Sequence, residues 1–193
     1  AKALANWPEI AQYAQALTVW RQALKLDPDD AKSHNDLGVN IYLLGDTKEA
    51  FEQLRQPVHL NPQFVEAHYN LGRFLLQQGH PDQALPELES TLTLNPGFSS
   101  AQEALASDYI ALGKQDEALA LWRKVLTYQP NSVPALVGAA QILSTTADSA
   151  LRNGNEAVTL STKANEFTSG ANPSVLDTLG EAYAEAGQFS QAL

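Results

Sequence analysis

Proline recurs at positions 28, 62, 96 and 130, glycine at 45, 79 and 113, and a small alanine at 16, 50, 84 and 118. Every step is 34 residues. An interval of this length restricts the chain to a stack of like units, because one unit cannot bury its own apolar face and must lay it on the next. The stretch from Leu71 to Pro96 shows the unit most fully, with Leu71, Gly72, Gly79, Ala84, Leu94 and Pro96 as landmarks.

Within the unit, one apolar-periodic segment runs from Leu-Gly to the loop glycine and a second from that glycine to the proline. Each is about three helical turns long, so the unit is predicted to be a helix hairpin. Gly45, Gly79 and Gly113 permit the left-handed backbone that closes a first helix, and Pro28, Pro62, Pro96 and Pro130 cannot continue a second. Gly38 and Gly72, answered by Ala50 and Ala84, leave room for close helix approach, as do Ala106 and Ala118 one unit on.

The residues Leu37-Gly38, Ile41, Gly45, Ala50, Leu54 and Pro62 resemble the tetratricopeptide repeat (TPR) pattern. Leu71-Gly72, Leu75, Gly79, Ala84, Leu88 and Pro96 repeat it, and Leu105-Ala106, Tyr109, Gly113, Ala118, Trp122 and Pro130 continue it. The resemblance implies an all-α TPR α-solenoid, a right-handed superhelix of antiparallel helix hairpins. It says much about fold and little about function, since members share a scaffold and differ in what they hold.

Composition agrees with a helical repeat protein: 193 residues, 44% apolar, 18% charged and a formal net charge of -10. The acidic balance, with twelve scattered basic residues, argues against nucleic acid and anionic membrane as partners, both of which favour clustered Lys and Arg. The chain has no cysteine, which removes disulfide and thiolate chemistry and suits a reducing or an oxidising compartment equally. No apolar run approaches a membrane span and no signal segment opens the chain. With no methionine, not even an initiator, the chain reads as a piece of a longer protein.

Taken in order, the chain reads as a single solenoid over residues 1–193. Residues 1–30 form a partial repeat whose second helix carries Tyr13, Ala16, Trp20, Leu24, Leu26 and Pro28. That helix is expected to start near Pro8 with Asn6 as its cap, leaving residues 1–5 as a remnant. Residues 31–64, 65–98 and 99–132 are full repeats, residues 133–172 a long repeat and residues 173–193 a truncated one. Pro57, late in a second helix, removes a backbone bond and predicts a tolerated bend; Pro86 lies nearer its helix start, after Pro81. The long repeat carries an insertion from Ser144 to Gly154, expected to form a loop on one face.

The tail from Leu151, with Leu151-Arg152-Asn153-Gly154, Glu156-Ala157 and Leu176 to Gly187, resembles the C-terminal part of a group of bacterial TPR proteins. Many of those carry their repeats behind a membrane-embedded, glycosyltransferase-like region. The resemblance implies a bacterial source and a membrane-bound parent, but transfers no catalytic residue.

No residue pattern for chemistry stands out. His34, His59, His68 and His80 are the four histidines; His34 and His68 share a repeat position often held by tryptophan in the family, and a packing role is expected of them rather than metal or catalysis. There is no His-Glu-x-x-His, phosphate-cradling glycine loop or Gly-x-Ser-x-Gly, so neither a cofactor nor a catalytic residue is expected. Asp29-Asp30 and Asp116-Glu117 fall at helix starts, where negative charge suits the helix dipole. Trp20 and Trp122 share one repeat position and read as core residues.

What remains is surface. In this family the first helices line the concave side of the superhelix, which holds an extended peptide or a partner helix. The resemblance places Lys32, Asn35, Asp36 and Val39 there, then Glu66, Tyr69, Asn70 and Arg73, then Ser100, Glu103, Ala104 and Ser107. The expected peptide groove is Lys32, Asn35, Glu66, Tyr69, Asn70, Arg73, Glu103 and Ser107. Tyr69 offers a rigid aromatic contact, Asn70 can bond peptide donors and acceptors, and Arg73 can fork a carboxylate. Some members grip a C-terminal carboxylate with Lys, Asn and Arg from three successive repeats; here only Asn70 fits, with Val39, Ser100 and Ala104 standing where clamp residues are needed. Three functions follow as expectations: a non-catalytic scaffold that binds a protein or peptide, a regulatory or substrate-presenting arm of a larger glycosyltransferase-like protein, and end-to-end self-assembly into a homo-oligomer.

Overall fold

The structure, a computed structural model, describes residues 7–192. Among them are eleven helices and no strand: α1 (Trp7–Leu26), α2 (Ala31–Leu43), α3 (Thr47–Leu60), α4 (Val65–Gln77), α5 (Pro81–Leu94), α6 (Ser99–Ala111), α7 (Gln115–Tyr128), α8 (Val133–Thr145), α9 (Gly154–Phe167), α10 (Pro173–Glu185) and α11 (Phe189–Ala192). No helix among the described residues is long and apolar enough to cross a membrane.

The 34-residue period sets where these helices stop. Gly45, Gly79 and Gly113 sit at φ 93°, 78° and 73° just after α2, α4 and α6, a backbone that costs a residue with a Cβ but not glycine. The second helices end two residues before Pro28, Pro62, Pro96 and Pro130. Starts are set by side-chain oxygens that accept otherwise orphaned amides: Asp30 from Lys32 at 3.2 Å, Asp46 from Glu49 at 3.0 Å, Asn153 from Glu156 at 3.1 Å and Asn172 from Ser174 at 3.0 Å. Helix α1 begins at Trp7, one residue from the expected Pro8; the Asn6 cap and the remnant at residues 1–5 lie outside the described residues.

Packing groups the chain into two compact units, one ending at Ala101 and the other beginning at Gln102. In the first, Ala50, Ala67, Ala84 and Leu88 are fully buried. The spacing pairs Gly38 with Ala50 and Gly72 with Ala84, but the side chains that close on the glycines are leucines one turn further on. A Cβ on Gly38 would come within 2.8 Å of Leu54 Cγ, and one on Gly72 within 2.9 Å of Leu88 Cγ. The alanines let the helices approach, and the leucines fill the glycine notch that approach creates. Pro57 is buried inside α3, and the ladder resumes beyond it with Asn61 N–H donating to the Pro57 carbonyl at 2.9 Å.

The second unit centres on Leu119, Trp122 and Val125 of α7, packed with Ala139, Ala140, Ile142 and Leu143 of α8 and Ala157 of α9. Of the stretch from Ser144 to Gly154, residues 146–153 connect α8 to α9, and several hydrogen bonds hold this connection. Thr146 is buried, its hydroxyl bonds Gln115 Oε1 and accepts from Asp148 N–H at 3.2 Å, and its carbonyl accepts from Arg152 Nε at 3.0 Å. Asn153 N–H then closes on the Leu143 carbonyl at 2.9 Å. At the far side Gly154 is required by proximity, since a Cβ there would meet the Ala186 nitrogen at 2.5 Å.

Candidate functional site

In the first unit the two first helices α2 and α4 are bridged by their polar side chains. Asn70 Nδ2 on α4 donates to Asn35 Oδ1 on α2 at 2.9 Å. Asn35 Nδ2 in turn donates to Asp36 Oδ1 at 3.2 Å, and Lys32 Nζ donates to Asp36 Oδ2 at 2.6 Å. The Asp36 carboxylate holds the Lys32 ammonium above the usual lysine range through that hydrogen bond. Asn35 is buried, while Asn70 is half-buried and Lys32 exposed.

One turn along α4, Arg73 lies over the Tyr69 ring, 5.6 Å from its centroid, and the other side of the cluster is Phe98, whose ring centroid is 4.6 Å from that of Tyr69. Tyr69 and Phe98 are half-buried and Arg73 is exposed. No carboxylate among the described residues reaches the Arg73 guanidinium, whereas Arg21, Arg55 and Lys32 are paired with Glu49, Glu52 and Asp36.

Of the expected groove residues, then, Lys32, Asn35 and Asn70 are brought into one hydrogen-bonded chain, with Tyr69 and Arg73 packed beside it. Glu66 is exposed at the start of α4 and joins none of these bonds. Glu103 and Ser107 are exposed on α6 in the second unit. Asp36 and Val39 are half-buried, and Ala104 likewise. Phe98 was missed because it precedes α6 instead of lying on it. Its signal in the sequence is that Phe64, 34 residues earlier, occupies the cap position of α4, so an aromatic recurs just before α4 and α6.

The histidines have hydrogen-bonding roles beyond packing. His34 Nδ1 faces Gln53 Oε1 at 2.8 Å and Nε2 faces the Pro28 carbonyl at 3.0 Å. One repeat on, buried His68 faces Glu87 Oε2 at 2.6 Å and the Pro62 carbonyl at 3.1 Å. Each ring thus ties a first helix to its partner helix and to the proline turn before it. Trp122 is buried and Trp20 half-buried. Asp30 caps α2, and the Ser33 hydroxyl, helped by the Lys32 and Ser33 amides, outweighs the opposing effect of desolvation to hold its carboxyl below the usual range. A pocket of about 240 Å³ opens among α3, α4 and α5 over Phe51, Phe74 and Leu75, with Lys48, Gln78, His80 and Gln83 around it. It is smaller than the clefts that enclose small-molecule ligands, roughly 300–1,000 Å³. Among the described residues no group of three or more His, Cys, Asp or Glu side chains could hold a metal ion.

Three family models, all described as tetratricopeptide or TPR repeats, match residues 12–45, 42–107 and 101–132. No curated protein matches the sequence. Among solved structures, MamA is 24% identical with a TM-score of 0.72, the match covering 84% of this chain and 92% of that one. YrrB, described as a TPR protein with an unusual peptide-binding site, is 16% identical with a TM-score of 0.72 over 90% of this chain and 87% of its own. A tetratricopeptide repeat protein from Parabacteroides merdae is 18% identical with a TM-score of 0.74, covering 95% of this chain and 71% of that one. At these identities the likeness is one of fold.

Proposed function

The chain belongs to the tetratricopeptide repeat family, and from that premise we propose that it is a non-catalytic protein-interaction scaffold that holds an extended peptide on the shared face of α2 and α4. The observation that carries this reading is the Asn70–Asn35 bond, which links the two helices by carboxamides and leaves Asn70 with an amide hydrogen and an oxygen to offer. An extended backbone presents the matching C=O and N–H. Tyr69 and Phe98 supply apolar area at low entropic cost, and Arg73 supplies charge. YrrB is a precedent for peptide binding on this scaffold.

The test is selection of linear dodecapeptides from a displayed library on the whole chain, followed by mapping of the bound peptide by amide chemical shifts. Perturbations centred on α2 and α4, with binding lost in a Tyr69→Ala/Asn70→Ala/Arg73→Ala variant of unchanged melting temperature, are the expected result. Peptides that bind the triple variant as well as the parent would overturn the reading.

A further inference from the structure

The hydrogen-bond chain on α2 and α4 has a direction, and that direction limits what Asn70 can present. Asp36 is an ion-paired carboxylate and only accepts, taking bonds from Lys32 Nζ at 2.6 Å and Asn35 Nδ2 at 3.2 Å. The Asn35 carboxamide is therefore turned with its NH₂ toward Asp36, and the Asn40 side chain, donating to the Asp36 backbone carbonyl at 2.8 Å, braces the same turn of α2. With its NH₂ turned toward Asp36, Asn35 faces Asn70 with its oxygen, and Asn70 donates to it. An isolated asparagine flips freely. Asn70 does not, because the orientation is handed down from a charge two side chains away.

The remaining charge next to Asn70 belongs to Arg73. Lys32 is neutralised by Asp36, whereas Arg73, three residues from Asn70 on the same helix, has no acidic partner among the described residues and is stacked over Tyr69. Glu66 lies seven residues back, about 10 Å along the helix axis. So although the chain carries a net charge of -10, the Arg73 end of this face is locally cationic, and its guanidinium is pre-positioned on an aromatic plane with its fork of N–H donors unspent.

We infer that the α2/α4 face selects an extended segment carrying an acidic side chain, its backbone held by an Asn70 carboxamide of fixed orientation, its carboxylate on Arg73 and a neighbouring apolar side chain on Tyr69 and Phe98. The inference rests on the peptide-scaffold reading and adds to it the chemistry of the partner and the positioning role of Asn35 and Asp36.

The same displayed dodecapeptide library tests it. Recovered peptides are expected to be enriched in Asp or Glu beside an aromatic or branched residue. Replacing that acid by its amide should weaken binding roughly tenfold in the parent, as for loss of one charge-assisted hydrogen bond, and have little effect in Arg73→Gln. Arg73 is exposed, so this variant leaves the fold intact. In Asn35→Ala, shown to keep its melting temperature and helical spectrum, all peptides should weaken while the acid-over-amide ratio is unchanged; if that variant melts early, Asp36→Asn, in which both amide orientations of Asn35 become available, takes its place. Peptides that need Tyr69 and Asn70 but show no acid preference, or are enriched in Lys and Arg, would overturn this inference and leave the scaffold reading standing. Peptides indifferent to Tyr69 and Asn70 would overturn both.

Discussion

A Cβ added to Gly138 would meet the indole nitrogen of Trp122 at 2.3 Å. The buried tryptophan of α7 thus lies against bare backbone of α8, and the glycine is present for space, with no positive φ to demand it. Glycine in a helix interior normally costs up to about 1 kcal/mol relative to alanine. Gly138→Ala is nevertheless expected to destabilise the chain by about 1–3 kcal/mol, because overpacking outweighs the propensity gain. Urea unfolding read by far-ultraviolet dichroism checks this; a raised midpoint would show that Trp122 can move aside.

The two histidine ties differ in what faces them. Gln53 can turn either its oxygen or its NH₂ to His34, so a neutral ring is satisfied there. His68 faces the Glu87 carboxylate and a carbonyl, so one of its two bonds is to a charged acceptor where His34 has only a neutral carboxamide. A double-mutant cycle of His68→Ala with Glu87→Ala should therefore give a coupling of roughly 1.5–3 kcal/mol, against about 0.5–1.5 kcal/mol for His34→Ala with Gln53→Ala. Equal couplings would mean that the charge in the first pair contributes nothing.

The Asp30 cap sets a pH dependence. Its carboxyl is held below the usual range in the folded chain, mainly by the Ser33 hydroxyl. A lowered folded value contributes stability that is fully present above the unfolded value, roughly pH 4, and is lost as pH falls through the folded one. Asp30→Ala should cost about 1 kcal/mol at neutral pH, and the gap between variant and parent should close on acidification. Thermal melts of both proteins from neutral to acidic pH check it, and a gap that widened toward acid would reverse the sign.

Thr146 organises the insertion with one hydroxyl and one carbonyl. Thr146→Val keeps the shape and removes the hydroxyl, leaving Gln115 Oε1 and the Asp148 amide without their partner. The expected cost is about 1–3 kcal/mol, with faster amide exchange at Asp148 and Asn153. Unaltered exchange at those two amides would show that Arg152 holds the loop alone.

The features legible in the sequence were those that act through the backbone. Glycines that need positive φ, prolines that end helices and alanines at close approaches recur at fixed offsets because each solves a steric problem local to one hairpin. Hence the positions of α2 through α7 followed from spacing. The contacts that depend on side-chain rotamers were not legible. Leu54 and Leu88, and not the alanines, fill the glycine notches, and Phe98 reaches Tyr69 from outside the helix expected to line the groove. For the candidate site, residue types and face were readable at Asn70, Tyr69 and Arg73. The commitment of Asn35 to Asp36 was hidden, because a hydrogen bond between neighbours leaves no periodic trace.

Pro28 and Pro62, whose carbonyls accept the His34 and His68 bonds, also bear on how the chain would respond to force. Each hairpin is fastened to the turn preceding it, by His34 to Pro28 and by His68 to Pro62, so tension applied along the polypeptide loads these fasteners one after another. Rupture of a single hairpin frees 34 residues, roughly 110 Å of slack at full extension. Stretched between its ends, the first unit would give way in steps of about that length, with the imidazole pins acting as successive mechanical stops.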